Sequence, residues 1–286
     1  MLEFIFSPKK MLDRPYLVLF EAIYLVIISV FISLFLLPKS YVSIGILTFI
    51  TIGSIPVFNK IFSYSSYLFN YNRSFFARHR KLLIILVYFF IGLFVAFSAF
   101  YFFSTESMRE TIFLTQHGEI EGIANLRSSI TGDVSAISIK DQSIFQKVFL
   151  IVLNNNLGVT LRALLLSLFY GAGALFLIAW NASILATVIS SEIFSSVMLT
   201  NAGFFSPFIA LFNALFNFLG YIPHGLPEIL AYFLISFAGA MLARDVIKGT
   251  FSTEYKYRVF WDFLFMVMLA LVLLIIGAII EASYFI

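Results

Sequence analysis

Long apolar runs separated by short polar breaks organise this chain from end to end. The runs cover residues 15–37, 41–58, 82–103, 157–180, 181–200, 204–219, 226–243 and 260–285. A helix that crosses a membrane takes about 20 apolar residues, so each run is long enough, or nearly so, to be a spanning helix. Polar residues punctuate them. Pro38, Lys39 and Ser40 form a tight turn, Asn154, Asn155 and Asn156 precede a run and are placed to cap it, and Pro223, His224 and Gly225 break another. The run at 181–200 differs from the rest because it carries Ser183, Thr187, Ser190, Ser191, Glu192, Ser195 and Ser196.

Composition fits that pattern and removes the alternatives. Of the 286 residues, 61% are hydrophobic and 12% charged, and mean hydropathy is +1.01. Soluble chains are far less apolar, and disordered ones are rich in charge. The fold class expected is therefore an all-α polytopic transmembrane bundle of seven to eight spans. The absence of cysteine excludes disulfides, thiolate catalysis and thiolate-bound metals. The basic net charge, +3, implies no nucleic acid, because basic residues beside spans set orientation instead.

Charge placement orients the chain. Residues 59–81 carry Lys60, Arg73, Arg78, Arg80 and Lys81 with no acid, interleaved with aromatics that suit a headgroup layer. Across one span, residues 104–146 carry Glu106, Glu110, Glu119, Glu121, Asp133 and Asp141 against fewer bases. The basic side is expected to be cytoplasmic, with the N-terminus, and 104–146 external, as a small element and not an independent domain. Eight spans would place the net-basic loop 244–258 outside. Making 181–200 a re-entrant or broken segment gives seven full spans and removes that conflict, since irregular backbone at membrane depth needs protein or water around it.

Candidate chemistry is sparse. Ionisable groups inside spans are costly and usually face the interior or water. Glu21 is expected to snorkel, Asp262 and Glu281 to be interfacial, and Glu192 and Glu228 to be informative. Arg162 needs a partner at its depth or must snorkel to the interface, and the pairing expected is with Glu192 or Glu228. His224 and Glu228 are four apart and would share a helix face, as in an imidazole oriented by a carboxylate. A simple helix start between Pro223 and Pro227, with Gly225 supplying backbone freedom, is the plainer reading. The patches 171–174 and 238–240 are small-residue stretches suited to close helix packing. Asn181-Ala-Ser183 matches a glycosylation sequon but at membrane depth. No metal set is present, and no cofactor is expected.

Asn154-Asn155 before a span, Gly171-Ala-Gly173 within it, Asn181 beyond it, and Pro223-His224-Gly225-Leu-Pro-Glu228 followed by Ala238-Gly239-Ala240 resemble the stage II sporulation protein M family. The resemblance covers residues 82–244 and departs at Ala182, where the family commonly has glycine. Residues 1–81 then read as a two-span extension with an aromatic-basic connector, and 82–286 as the family's membrane domain. The resemblance implies a multi-pass cell-membrane protein without established catalysis, a scaffold with membrane or cell-surface protein partners in a lipid setting. A small-solute or ion transporter built on Glu192, Glu228 and Arg162 is the competing expectation. An intramembrane hydrolase using His224 and Glu228 ranks third.

Overall fold

The structure is a computed structural model that describes residues 7–67, 75–122, 141–167, 172–199, 206–248 and 253–283. Those residues are helical almost throughout, and among them no strand occurs. The helices are α1 (Pro8–Asp13), α2 (Tyr16–Leu36), α3 (Lys39–Tyr67), α4 (Phe75–Phe103), α5 (Glu106–Ile112), α6 (114–122), α7 (Asp141–Ser167), α8 (Ala172–Leu199), α9 (Ser206–Lys248) and α10 (Thr253–Ser283).

Seven of them are long and apolar enough to cross a membrane, over Tyr16–Leu36, Lys39–Ile61, His79–Phe103, Phe145–Ser167, Ala172–Ser195, Gly225–Leu242 and Val259–Ser283. Six of these seven helices lie between the N-terminus and the basic 244–258 loop, an even number that is compatible with the charge pattern. In hydrocarbon no water satisfies a free N–H or C=O, which is why the described parts of the apolar runs are helical almost throughout.

Three boundaries differ from the sequence reading. Asn154–Asn156 do not cap a span; they lie in the middle of α7. The apolar stretch 157–180 is not one span, because its two parts belong to α7 and α8, which pack on each other. The polar-studded segment is not re-entrant. Residues 181–199 continue α8 without interruption, and Thr200 lies outside the described residues. Four of its hydroxyls cost little, since Ser183, Thr187, Ser191 and Ser195 each donate to a carbonyl three or four residues back in the same helix, whereas the buried Ser190 Oγ has no partner among the described residues.

The break expected at Pro223–Gly225 is also absent. α9 runs through both Pro223 and Pro227 as one helix of 43 residues. Each proline removes one intrahelical hydrogen bond, whereas ending the helix there would free several.

α8 lies at the centre and touches α3, α4, α7 and α9, while α2 packs on α3 and α4, and α10 on α7 and α9. One apolar core joins the first two spans to the rest, from Val18 and Ile46 through Phe89 and Ile178 to Phe237 and Leu274. The small-residue patches serve close approach. A Cβ on Gly239 would collide with Ser167 of α7, and one on Gly173 with Leu166 and Ser167. Gly92 on α4 sits against the backbone of Leu19 on α2, where an added Cβ would lie 2.5 Å from the carbonyl oxygen.

Residues 104–122, after the third span, fold back onto the bundle. Ile112, Phe113 and Gln116 are buried, and Phe113 packs on Phe97 and Tyr101. Arg109 holds the turn: its Nε donates to the Tyr101 carbonyl at 2.9 Å, and its guanidinium lies 4.1 Å from the Phe194 ring centroid. Burial lowers the His117 imidazole below its ordinary value. Glu121 and Glu110 oppose that shift, and Arg109 adds to it. A depressed folded pKa means stability that is present above the unfolded imidazole's pKa and lost as pH falls through it. The melt is therefore expected to drop between about pH 7.5 and pH 5.5, and to drop less in His117→Gln. An equal drop in both proteins would assign the loss to other groups.

Candidate functional site

Helix α7 carries Asn156 toward α9. Asn156 is buried, its Nδ2 donates to Glu228 Oε1 at 2.7 Å, and its Oδ1 accepts from the Tyr232 hydroxyl at 2.8 Å. Glu228 and Tyr232 are one turn apart, so both face the same point of α7. An amide suits this position because it donates to a carboxylate and accepts from a phenol at once. The hydrogen-bonded set lies within two apolar spans, Phe145–Ser167 and Gly225–Leu242, where polar groups are usually functional or mutually paired.

Two further polar links cross the bundle. Ser43 Oγ of α3 donates to Gln116 Oε1 at 2.7 Å, and Gln116 Nε2 donates to Ser183 Oγ of α8 at 2.9 Å. Ser183 lies midway along Ala172–Ser195, so α6 sends an amide deep into the bundle. At the other end, His79 Nε2 of α4 and Asp262 Oδ2 of α10 are 3.1 Å apart and buried, with His79 packed against the rings of Phe75 and Phe237. Asp262 lies near the start of its span, as expected, but it is buried against His79 and not open to solvent. Glu21 does not snorkel: it is 4% exposed on α2, with Oε2 lacking a hydrogen-bond partner.

The residues singled out from sequence do not converge. Glu228 joins the buried set. Asn154 and Asn155 are exposed on α7, pointing away from it. Asn181 is half-buried and donates to its own helix at Leu177, 2.8 Å away. Glu192 is half-buried on α8. Arg162 does not pair with Glu192 or Glu228; it is exposed, and its Nε donates to the Gly158 carbonyl at 3.1 Å. Pro223 is exposed within α9, and the His224 side chain lies outside the described residues. Gly225 needs no special backbone angle, since it is helical and a Cβ there would meet nothing within 4 Å. Among the described residues no cluster of three metal-ligating side chains occurs.

Tyr232, Gln116 and His79 were not singled out by sequence reasoning, and Asn156 and Asp262 were read only as a helix cap and an interfacial acid. Tyr232 had a legible signal, one turn beyond Glu228 on an apolar helix. The others depend on partners 67 to 183 residues away, which no local pattern reports.

An all-helical bundle with seven membrane-length helices, cross-linked by buried hydrogen bonds, defines a polytopic membrane protein. Residues 82–284 match the family described as Stage II sporulation protein M, and the chain belongs to that family. The match runs through the last span, beyond the residues that carried the resemblance. No curated protein and no solved structure matches the chain.

Proposed function

We propose that the chain is a membrane scaffold that holds protein partners at the cell membrane and performs no catalytic step of its own. The observation that supports this reading best is the Asn156–Glu228–Tyr232 set. Its members use their hydrogen-bonding capacity on one another across two helices, as struts do. A transport path would keep such groups for a solute or ion. The competing transporter reading brought Arg162, Glu192 and Glu228 together, and Arg162 lies on the outer surface instead.

The orientation belongs to the same proposal: N-terminus cytoplasmic, 104–146 external. The chain lacks cysteine, so single cysteines report it cleanly. Phe75→Cys is expected to resist an impermeant reagent applied to intact cells, and Leu114→Cys to react. Reaction at position 75 from outside reverses the orientation.

Function is tested by two measurements on the purified full chain. A scaffold is expected to bring defined membrane proteins through solubilisation and purification in fixed ratio, and to leave ion and small-solute flux in liposomes at the level of empty vesicles. Flux that depends on Glu228 would establish the transporter.

A further inference from the structure

From the surface of α7 we infer a docking face for one transmembrane helix of a protein partner, a helix that carries a carboxylate within its own apolar span. The inference rests on the scaffold reading and gives it a place and a chemistry.

Asn156 of α7 meets Glu228 and Tyr232 of α9, and further along α7 Ser167 meets Gly239 of α9. The two helices therefore run side by side in the same direction, and both contacts lie inside apolar spans. Arg162 falls between those contacts, at membrane depth. An arginine there could reach for the nearer span end at Ser167. This one turns the other way. Its Nε donates to the Gly158 carbonyl, and its guanidinium lies over Gly158, toward the helix N-terminus.

Asn154 and Asn155 are exposed one turn beyond Gly158, and neither side chain makes a hydrogen bond among the described residues. Asn154, Gly158 and Arg162 recur at intervals of four, so they line one face. That face holds two amides, a notch without a side chain, and a cation, flanked by exposed Leu150, Leu161 and Leu165. The span Phe145–Ser167 buries only 22% of its apolar window inside the molecule, the smallest share of the seven.

Hydrocarbon does not suit such a face. A charged or amide group at that depth is found against protein or water. Gly158 leaves room for the Arg162 guanidinium to lie close against the helix, so a partner helix would meet the cation near the α7 surface. The guanidinium over it offers parallel N–H donors, which a carboxylate accepts two at a time. A second copy of this chain is a poorer fit. Among the described residues it offers no exposed acid within an apolar span, and two-fold pairing would bring Arg162 toward its own copy.

The test uses fluorescent synthetic spans: a leucine-alanine helix with one central glutamate, and the same helix with leucine there. Each is co-reconstituted with the labelled full-length protein in zwitterionic vesicles, and association is read by energy transfer. The glutamate span is expected to bind about three- to thirtyfold more tightly than the leucine span, the range that interhelical polar contacts of this kind give in membranes. Arg162→Leu should abolish the difference, and Arg162→Lys should keep part of it. The Arg162 side chain is exposed, and melts confirm that each variant is folded.

Equal binding of the two spans overturns the inference, as does an undiminished preference in Arg162→Leu. Loss of the preference when anionic lipid is added would mean that a lipid phosphate takes the guanidinium instead. A Gly158→Cys protein that oxidises to a dimer in native membranes would mean that a second copy covers the face. If partners co-purify equally with wild type and Arg162→Leu, the scaffold reading stands and this face is not the reason. If no partner co-purifies but the glutamate preference holds, the face stands and the scaffold reading falls.

Discussion

Gly92→Val is expected to destabilise the detergent-solubilised protein severely, by about 3 kcal/mol or more, at the top of the range for overpacked cores. The cause is backbone against backbone. A Cβ at position 92 would stand 2.5 Å from the Leu19 carbonyl oxygen, 2.8 Å from the Ala22 Cβ and 3.0 Å from the Leu19 Cα. None of those atoms can rotate aside, so α2 and α4 must separate, and both line the core. Gly225→Val is the control. It changes the same atoms on a helix where a Cβ meets open space, and it is expected to be neutral or slightly stabilising, by roughly a few tenths of a kcal/mol, because valine is a better helix former than glycine. Thermal melts of the two variants should differ widely. Matching melts would mean that α2 and α4 do not meet at Gly92.

Asn156→Leu should be the more informative change. Leucine takes similar space but cannot donate to Glu228 or accept from Tyr232, and the loss of a buried hydrogen-bond partner costs about 1–3 kcal/mol. The link to Tyr232 is tested by a cycle. In a Tyr232→Phe background, Asn156→Leu should cost less, because the hydroxyl that needed the amide has gone. Coupling of about 0.5–3 kcal/mol is the range for residues in one network. Strict additivity would mean that the amide and the phenol do not touch.

The bundle was legible because membrane spans are written in length and apolarity, and both can be read without a structure. What failed were the ends. Hydropathy does not register a helix reversal, so the run through residues 157–180 hid the junction between Ser167 and Ala172. Proline looked like a terminator at position 223, yet one missing N–H did not outweigh the other bonds of α9.

The site was half legible. Glu228 stood out as a carboxylate in an apolar run, and its partner was one residue beyond the two asparagines chosen. Arg162 was placed at the right depth and on the wrong side. Six residues separate it from Asn156, which is about 240° around a helix. An α7 that turns Asn156 toward Glu228 must turn Arg162 away. Hydropathy places a residue along a span, and only packing gives its azimuth.

The unbroken helix α9 has a mechanical meaning. At about 1.5 Å per residue its 43 residues make a rod about 65 Å long, roughly twice the thickness of a bilayer's hydrocarbon core. The apolar span Gly225–Leu242 anchors one end, and Phe208, Phe212 and Phe216 stand exposed toward the other. Pro223 and Pro227 lie just where the rod leaves its anchorage, and each lacks a bond that would stiffen it. The stretch from Ser206 to Pro223 is about 26 Å long, so a tilt of about 10° at the prolines would carry its tip about 4–5 Å sideways. Glu228 and Tyr232 lie at or just past the pivot, clamped to Asn156. A push on the tip therefore becomes a torque on that clamp.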